Sequence, residues 1–208
     1  MFKGIIQEIG TIVSLQKNEA GCLKIQIQSS GLHQNCSIGD SIAIDGACQT
    51  IIAKNQQSFH IQAVPETLKL TNFPSYQIGS KVNLELPITL QSLIDGHLLT
   101  GHIDGTGTVK NLKNNFLSIS FPAKISQYLA LKGSISVNGV SLTIAKLLKH
   151  QINIALIPHT IASTNLSAFK KGSKVNLEVD LIARYLERLL EAKEQQTKYG
   201  WLRDRNFI

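Results

Sequence analysis

Cysteine, methionine, tryptophan and proline are scarce in this chain of 208 residues, which has three, one, one and five of them. The cysteines, Cys22, Cys36 and Cys48, are odd in number and match no metal-ligand spacing, so neither a disulfide framework nor a zinc motif is expected. His97 and His102, five apart, fit neither a helix face nor a known pair motif. No stretch approaches the roughly 18 apolar residues that a membrane span needs. Met1-Phe2-Lys3-Gly4 runs straight into a strand-like pattern without a secretory leader, which points to a cytoplasmic protein with no membrane partner. Arginine is missing before Arg184, and the lysines are scattered, with no basic run and no interleaved aromatics. The net charge of +7 therefore reads as solvated edges and turns, and no nucleic-acid partner is expected. There is also no glycine-rich phosphate loop and no recognisable Ser/His/Asp arrangement.

What the chain does have is a second copy of itself. Gly4-Ile5-Ile6 and Gly10-Thr11-Ile12 return as Gly101-His102-Ile103 and Gly107-Thr108-Val109, an offset of 97 residues. Ser41 to Ile51, with its Asp45-Gly46 pair, returns as Ser134 to Ile144 with Asn138-Gly139, at an offset of 93. Val64-Pro65-Glu66-Thr67-Leu68 recurs as Ile157-Pro158-His159-Thr160-Ile161, and Gly79 to Glu85 as Gly172 to Glu178. The change of offset implies one loop shortened in the second copy, somewhere between Val13 and Ile38 of the first. Two copies imply two related pockets, for two similar ligands or for one ligand taken twice.

Within the first copy, Ile5–Val13, Cys22–Ser29, Ser41–Ile44, Thr50–Ala53, Phe59–Val64 and Lys81–Leu86 are short runs rich in Ile, Val and Leu, broken by Gly, Asn, Asp and Ser. Asp45-Gly46 and Asn138-Gly139 are pairs that favour tight hairpins. With no helical period between the runs, the expected fold is all-β with a C-terminal helix: two tandem homologous six-stranded antiparallel Greek-key barrels. The first barrel with its linker is assigned to 1–97, the second to 98–179, and an oligomerisation helix and tail to 180–208. In that helix Leu181, Ile182, Tyr185, Leu186, Leu189 and Leu190 form one apolar stripe, and Asp180 is placed to cap it. The stripe has no counterpart in the first copy, so another chain is its expected partner.

Comparison between the copies separates fold from chemistry. Positions identical in both, such as Gly46 with Gly139 and Asn83 with Asn176, serve the common fold. Polar positions that differ are candidates for function: Cys48 against Ser141, Ile5 against His102, Glu66 against His159, Gly39 against Lys132. Thr50 and Thr67 in one copy, and Ser141, Thr143 and Thr160 in the other, form hydroxyl clusters suited to an uncharged heterocycle bearing hydroxyls.

Taken together, Met1-Phe2-x-Gly4-Ile5, Asp45-Gly46-Ala47-Cys48-x-Thr50, Pro65-Glu66-Thr67-Leu68-x-x-Thr71-Asn72, Gly96-His97-Leu98-x-x-Gly101-His102, Asn138-Gly139-Val140-Ser141-Leu142-Thr143 and Ile157-Pro158-His159-Thr160 resemble the riboflavin synthase family, alpha-chain type. The resemblance runs from Met1 to about Leu190. It implies an enzyme, needing no cofactor or metal, that dismutates two molecules of 6,7-dimethyl-8-ribityllumazine. It further implies a homotrimer held by C-terminal helices, with sites between barrels of neighbouring chains, and it admits association with lumazine synthase. Carried over by residue, the first pocket would use Gly4, Ile5 and Ile6; Cys48, Gln49 and Thr50; Gln62, Ala63, Val64, Pro65, Glu66 and Thr67; and Gly101, His102 and Ile103. The second would use Lys132; Ser141, Leu142 and Thr143; and Leu156, Ile157, Pro158, His159, Thr160 and Ile161. Cys48 and His102 would assist nucleophile addition and proton transfer with Ser41 in support, while Ser141 and Thr143 position the partner ring. Many members carry Asn where this chain has Asp45, and Asp where it has Asn138. The alternative implied by the same fold is a non-catalytic lumazine or flavin antenna protein.

Overall fold

A computed structural model describes the backbone of residues 1–203 and the side chains of residues 1–193. The last five residues of the C-terminal segment, 204–208, lie outside the described residues. Six strands, β1 (Glu8–Lys17), β2 (Leu23–Gln28), β3 (Ser41–Ile44), β4 (Ala47–Lys54), β5 (Ser58–Ala63) and β6 (Lys81–Glu85), close into an antiparallel barrel in the order β1-β2-β5-β4-β3-β6. β7 (Gly105–Lys113), β8 (Phe116–Ser120), β9 (Ser134–Val137), β10 (Val140–Leu148), β11 (Gln151–Ala155) and β12 (Lys174–Val179) close into a second barrel of identical connectivity. The order is the Greek-key order, and closure leaves no strand edge unpaired.

Alternation along the strands builds one core per barrel. Ile12, Ile25, Ile27, Ile42, Ile44, Ile51, Phe59 and Ile61 fill the first, and Val109, Leu117, Ile119, Ile135, Val137, Ile144 and Ile152 the second. The loop difference implied by the two offsets falls in the first hairpin. Residues 18–22 join β1 to β2, whereas Asn114 and Asn115 alone, both at positive φ, join β7 to β8. Each β5-like strand is followed by a short helix that sequence periodicity did not reveal, α1 (Pro65–Leu70) and α2 (Pro158–Ala162). Proline at the first turn sets their start, because its fixed φ suits a helix and its missing N–H is not needed there. A third helix, α3 (Leu181–Arg203), starts where Asp180 Oδ1 accepts the Ile182 N–H at 2.9 Å, in the capping role expected of it.

The first strand departs from expectation. Residues 5–7 stay outside β1, because Gly4, at φ +76°, turns the chain over the other barrel before it enters its own.

The barrels meet through their repeated hairpins. Gly46 and Gly139 lie back to back at φ +80° and +79°, and a Cβ on Gly46 would stand 2.6 Å from the Gly139 nitrogen. Around this contact the Asn83 side chain donates to the Asn138 carbonyl, and the Asn176 side chain to the Asp45 carbonyl, each at 2.9 Å. The Asn165 N–H donates to Asn83 Oδ1 at 2.7 Å and the Asn72 N–H to Asn176 Oδ1. The asparagines identical in both copies are thus the glue between barrels.

Asp45 breaks the symmetry of this network. It is fully buried and accepts from the Asn83 N–H, the Asn165 side chain and the Tyr76 hydroxyl, each at 2.8 Å, and more distantly from Asn72. Burial pushes its pKa up to about 6 against the opposing pull of those donors. A carboxyl whose folded pKa lies above its ordinary 3.8 favours folding below that value, and the advantage is lost as pH rises through about 6. The lost stability amounts to about 3 kcal/mol, since a pKa unit is about 1.4. We expect Asp45→Asn, the residue of the second copy, to melt higher than the parent at pH 8, with the gap closing towards pH 4. Thermal melts showing a gap independent of pH would refute this.

Candidate functional site

Cys48 sits second on β4, and a segment from outside its barrel lies directly on it. The Cys48 N–H donates to the Gly101 carbonyl at 2.9 Å. A Cβ at Gly101 would lie 2.5 Å from Cys48 Cβ, and φ there is +79°, so glycine is required on both counts. Ile103, two residues on, is buried in the first barrel's core although it precedes the second barrel's first strand. Beside this strap opens a recess of about 390 Å³, lined by Ala47, Cys48, Gln49, Val64, Glu66, Thr67, Leu70, Thr71, Gly101, His102 and Ile103. The recess mixes apolar side chains with a few hydroxyl, amide and imidazole groups, which suits a flat heterocycle carrying a hydroxylated chain.

The second barrel has the mirrored construction. The Ser141 N–H donates to the Gly4 carbonyl at 2.8 Å, and a Cβ on Gly4, at φ +76°, would lie 2.7 Å from Ser141 Cβ. Ile6 packs on the second core, as Ile103 does on the first. The two straps are themselves paired, Phe2 bridging Leu99 antiparallel, with both side chains buried beside Ala43.

These contacts correct the grouping drawn from the sequence. Gly4, Ile5 and Ile6, assigned to the Cys48 pocket, belong beside Ser141, because each repeat's leading segment crosses to the opposite barrel. Ser41, assigned to the support of Cys48, pairs with Thr50 across β3 and β4 and lines a separate recess of about 260 Å³ with Cys36 and Asp40. The structure brings Cys48, Gln49, Val64, Glu66, Thr67, Gly101, His102 and Ile103 together around one recess. Thr50, Gln62, Ala63 and Pro65 adjoin it in sequence without lining it. On the second barrel, Thr143 is two residues along β10 from Ser141 and so on the same face. Lys132, at φ +66°, is exposed, as are Ile157, Pro158 and His159, while Thr160 and Ile161 are half-buried at α2 and Leu156 and Leu142 are buried in the core.

Sequence reasoning missed His97, weighed there only as a metal ligand. Its Nδ1 lies 2.7 Å from Ser141 Oγ, and burial pushes its pKa below the usual imidazole value. The signal was its place five residues ahead of His102, on the same strap. Among the described residues no cluster of three or more His, Cys, Asp or Glu could hold a metal. A larger recess, about 540 Å³, is lined by Asp45, Asn72 and Asn138, and by none of the catalytic or ligand-binding residues carried over from the family.

Two barrels of one ancestry, each crossed by the other's strap, define a tandem lumazine-binding-domain architecture. The family model for the lumazine binding domain matches twice, at residues 3–87 and 100–180. Among curated relatives, riboflavin synthase of Bacillus subtilis (strain 168) is 40% identical over 206 residues, 95% of each chain. Riboflavin synthase of Photobacterium leiognathi is 37% identical, over 95% of this chain and 93% of that one. Among solved structures, LumP complexed with 6,7-dimethyl-8-(1'-D-ribityl) lumazine superposes with a TM-score of 0.78 at 28% identity, covering 86% of this chain and 99% of that one. The chain belongs to the riboflavin synthase family and is an enzyme of it.

Cys22 and Cys36 are buried, and Cys48 is the half-exposed thiol at the recess. We expect the native protein to take up one equivalent of a maleimide per chain quickly, and Cys48→Ser to take up none on that timescale. Fast labelling that persists in Cys48→Ser would contradict this placement of the thiols.

Proposed function

We propose that this chain makes riboflavin by dismutation. Two molecules of 6,7-dimethyl-8-ribityllumazine bind, one transfers a four-carbon unit to the other, and riboflavin and 5-amino-6-ribitylaminouracil leave. The observation that carries the reading is that both barrels keep a furnished site: Cys48 with His102 on one, Ser141 with His97 and Thr143 on the other. A protein that only holds a ligand, as the LumP likeness would suggest, has no need of the second.

The chemistry asks little of the protein beyond position. The methyl on ring carbon 7 of the substrate is acidic, so a carbanion forms once a base is at hand. His97, within hydrogen-bond distance of Ser141 and with its pKa pushed down by burial, can take or relay that proton. Cys48 and His102 assist nucleophile addition to the other ring. Stacking the rings face to face converts an encounter into a first-order step, worth several kcal/mol of barrier. No cofactor or metal is needed.

Neither Ser141 nor Thr143 lines the Cys48 recess, so one chain does not bring two rings together by itself. A neighbouring chain supplies the second ring. Ile182, Leu186, Leu189 and Leu190 are 55–68% exposed along α3, an apolar stripe that a homotrimer would cover. Cytoplasmic location follows from biosynthetic use of a soluble substrate.

Incubation of purified protein with dimethylribityllumazine alone should yield riboflavin fluorescence; tight binding without turnover would instead establish an antenna-type protein. Cys48→Ala should lower kcat by at least about tenfold, the size of a lost general acid-base or nucleophilic contribution, with little change in Tm. Truncation after Val179 should give monomers or dimers on sedimentation, without activity; a truncated trimer would refute the role of α3.

A further inference from the structure

The last strand of each barrel carries, at or next to its end, a carboxylate that the catalytic reading does not use. Glu85 on β6 and Glu178 on β12 are each 2% exposed, and both serve as acceptors for strap backbone. Glu178 Oε1 accepts from the Thr100 N–H and the Thr100 hydroxyl, both at 2.7 Å, and Oε2 from the Gly101 N–H at 3.1 Å. Thr100 Oγ1 passes the order on, accepting the His102 N–H at 3.3 Å. Glu85 does the same for the other strap, taking the Lys3 N–H at 2.8 Å and the Gly4 N–H at 3.1 Å. The direction is crossed. Glu178 stands in the second barrel, yet the glycine it grips gives its carbonyl to Cys48 of the first; Glu85 stands in the first, and its glycine gives its carbonyl to Ser141 of the second.

A buried carboxyl needs donors, and the strap amides supply them; without the carboxyl, those amides would be left unsatisfied in turn. Burial raises the pKa of both groups, and the strap donors pull it back down. Each glutamate and its strap are therefore one unit. We propose that Glu178 is the positioning residue for the Cys48 recess and Glu85 for the Ser141 site, each acting across the barrel boundary through the strap it holds. This builds on the lumazine reading of the recess, but its central measurement needs no ligand.

The test uses the full chain carrying Glu178→Gln or Glu85→Gln. An amide nitrogen set against the Gly101 N–H opposes two donors and loosens the strap that lies on Cys48. In ligand-free protein, maleimide labelling of Cys48 should quicken by about tenfold in Glu178→Gln, the measure of one lost charged hydrogen bond, and stay within about twofold of the parent in Glu85→Gln. Thr100→Val, which removes the hydroxyl alone, should shift labelling the same way by about threefold and keeps the test open if Glu178→Gln does not fold. Riboflavin is then added as a protecting probe, and its half-protecting concentration should rise in Glu178→Gln and Thr100→Val but not in Glu85→Gln. Equal labelling in all forms, or equal quickening in both glutamate variants, would overturn the crossed assignment. Failure of riboflavin to protect the parent would instead overturn the reading of the recess, leaving the labelling pattern to decide the clasp.

Discussion

The contact of two glycines, Gly46 on Gly139, is the constraint from which the rest of the molecule follows. With backbone packed on backbone, no side chain fits between the hairpins, and the repeats can meet in one way only. A near-twofold relation results, and Asn83, Asn176, Asn72 and Asn165 complete it by bonding across the boundary. Buried amides are costly unless every donor and acceptor is matched, so this network specifies orientation as well as adhesion.

Given that relation, the leading segment of each repeat is delivered to the partner barrel. The Gly4 strap lies on Ser141 and the Gly101 strap on Cys48, with Ile6 and Ile103 planted in the cores they cross to. Neither site belongs to one repeat. Glu85 and Glu178 make the dependence mutual, since each holds the strap that shapes the other barrel's site. The duplicated chain is thus a pair of sites that each draw on both repeats, and divergence between the copies has placed a thiol on one side and a hydroxyl beside a histidine on the other.

Asymmetry also reaches the centre of the barrel contact. Asp45 bonds Tyr76 where Asn138 has Phe169 for a counterpart to that tyrosine. A single carboxyl among neutral amides makes the union of the barrels sensitive to protonation near pH 6.

Much of this was legible in the sequence because it rests on local rules. The repeat, the period-2 apolar runs and the Asp-Gly and Asn-Gly turns determined two six-stranded barrels, and the 3.6-residue stripe after Asp180 determined the last helix. Divergence between copies pointed to Cys48, Ser141 and His102, and identity between copies pointed to Gly46, Gly139, Asn83 and Asn176 as fold residues. What local rules could not carry was which barrel each strap serves. Ile5 and Ile6 read as the start of β1, and only the meeting of the two barrels shows that their segment crosses to the second barrel, with Gly4 on Ser141, 137 residues further on. That Ser41 lines a recess apart from Cys48 was hidden for the same reason, as nearness in sequence says nothing about which side of the sheet holds the recess. His97 and Glu178 gained their roles from contacts made across the barrels, which tertiary packing alone decides because the groups that meet there are far apart along the chain.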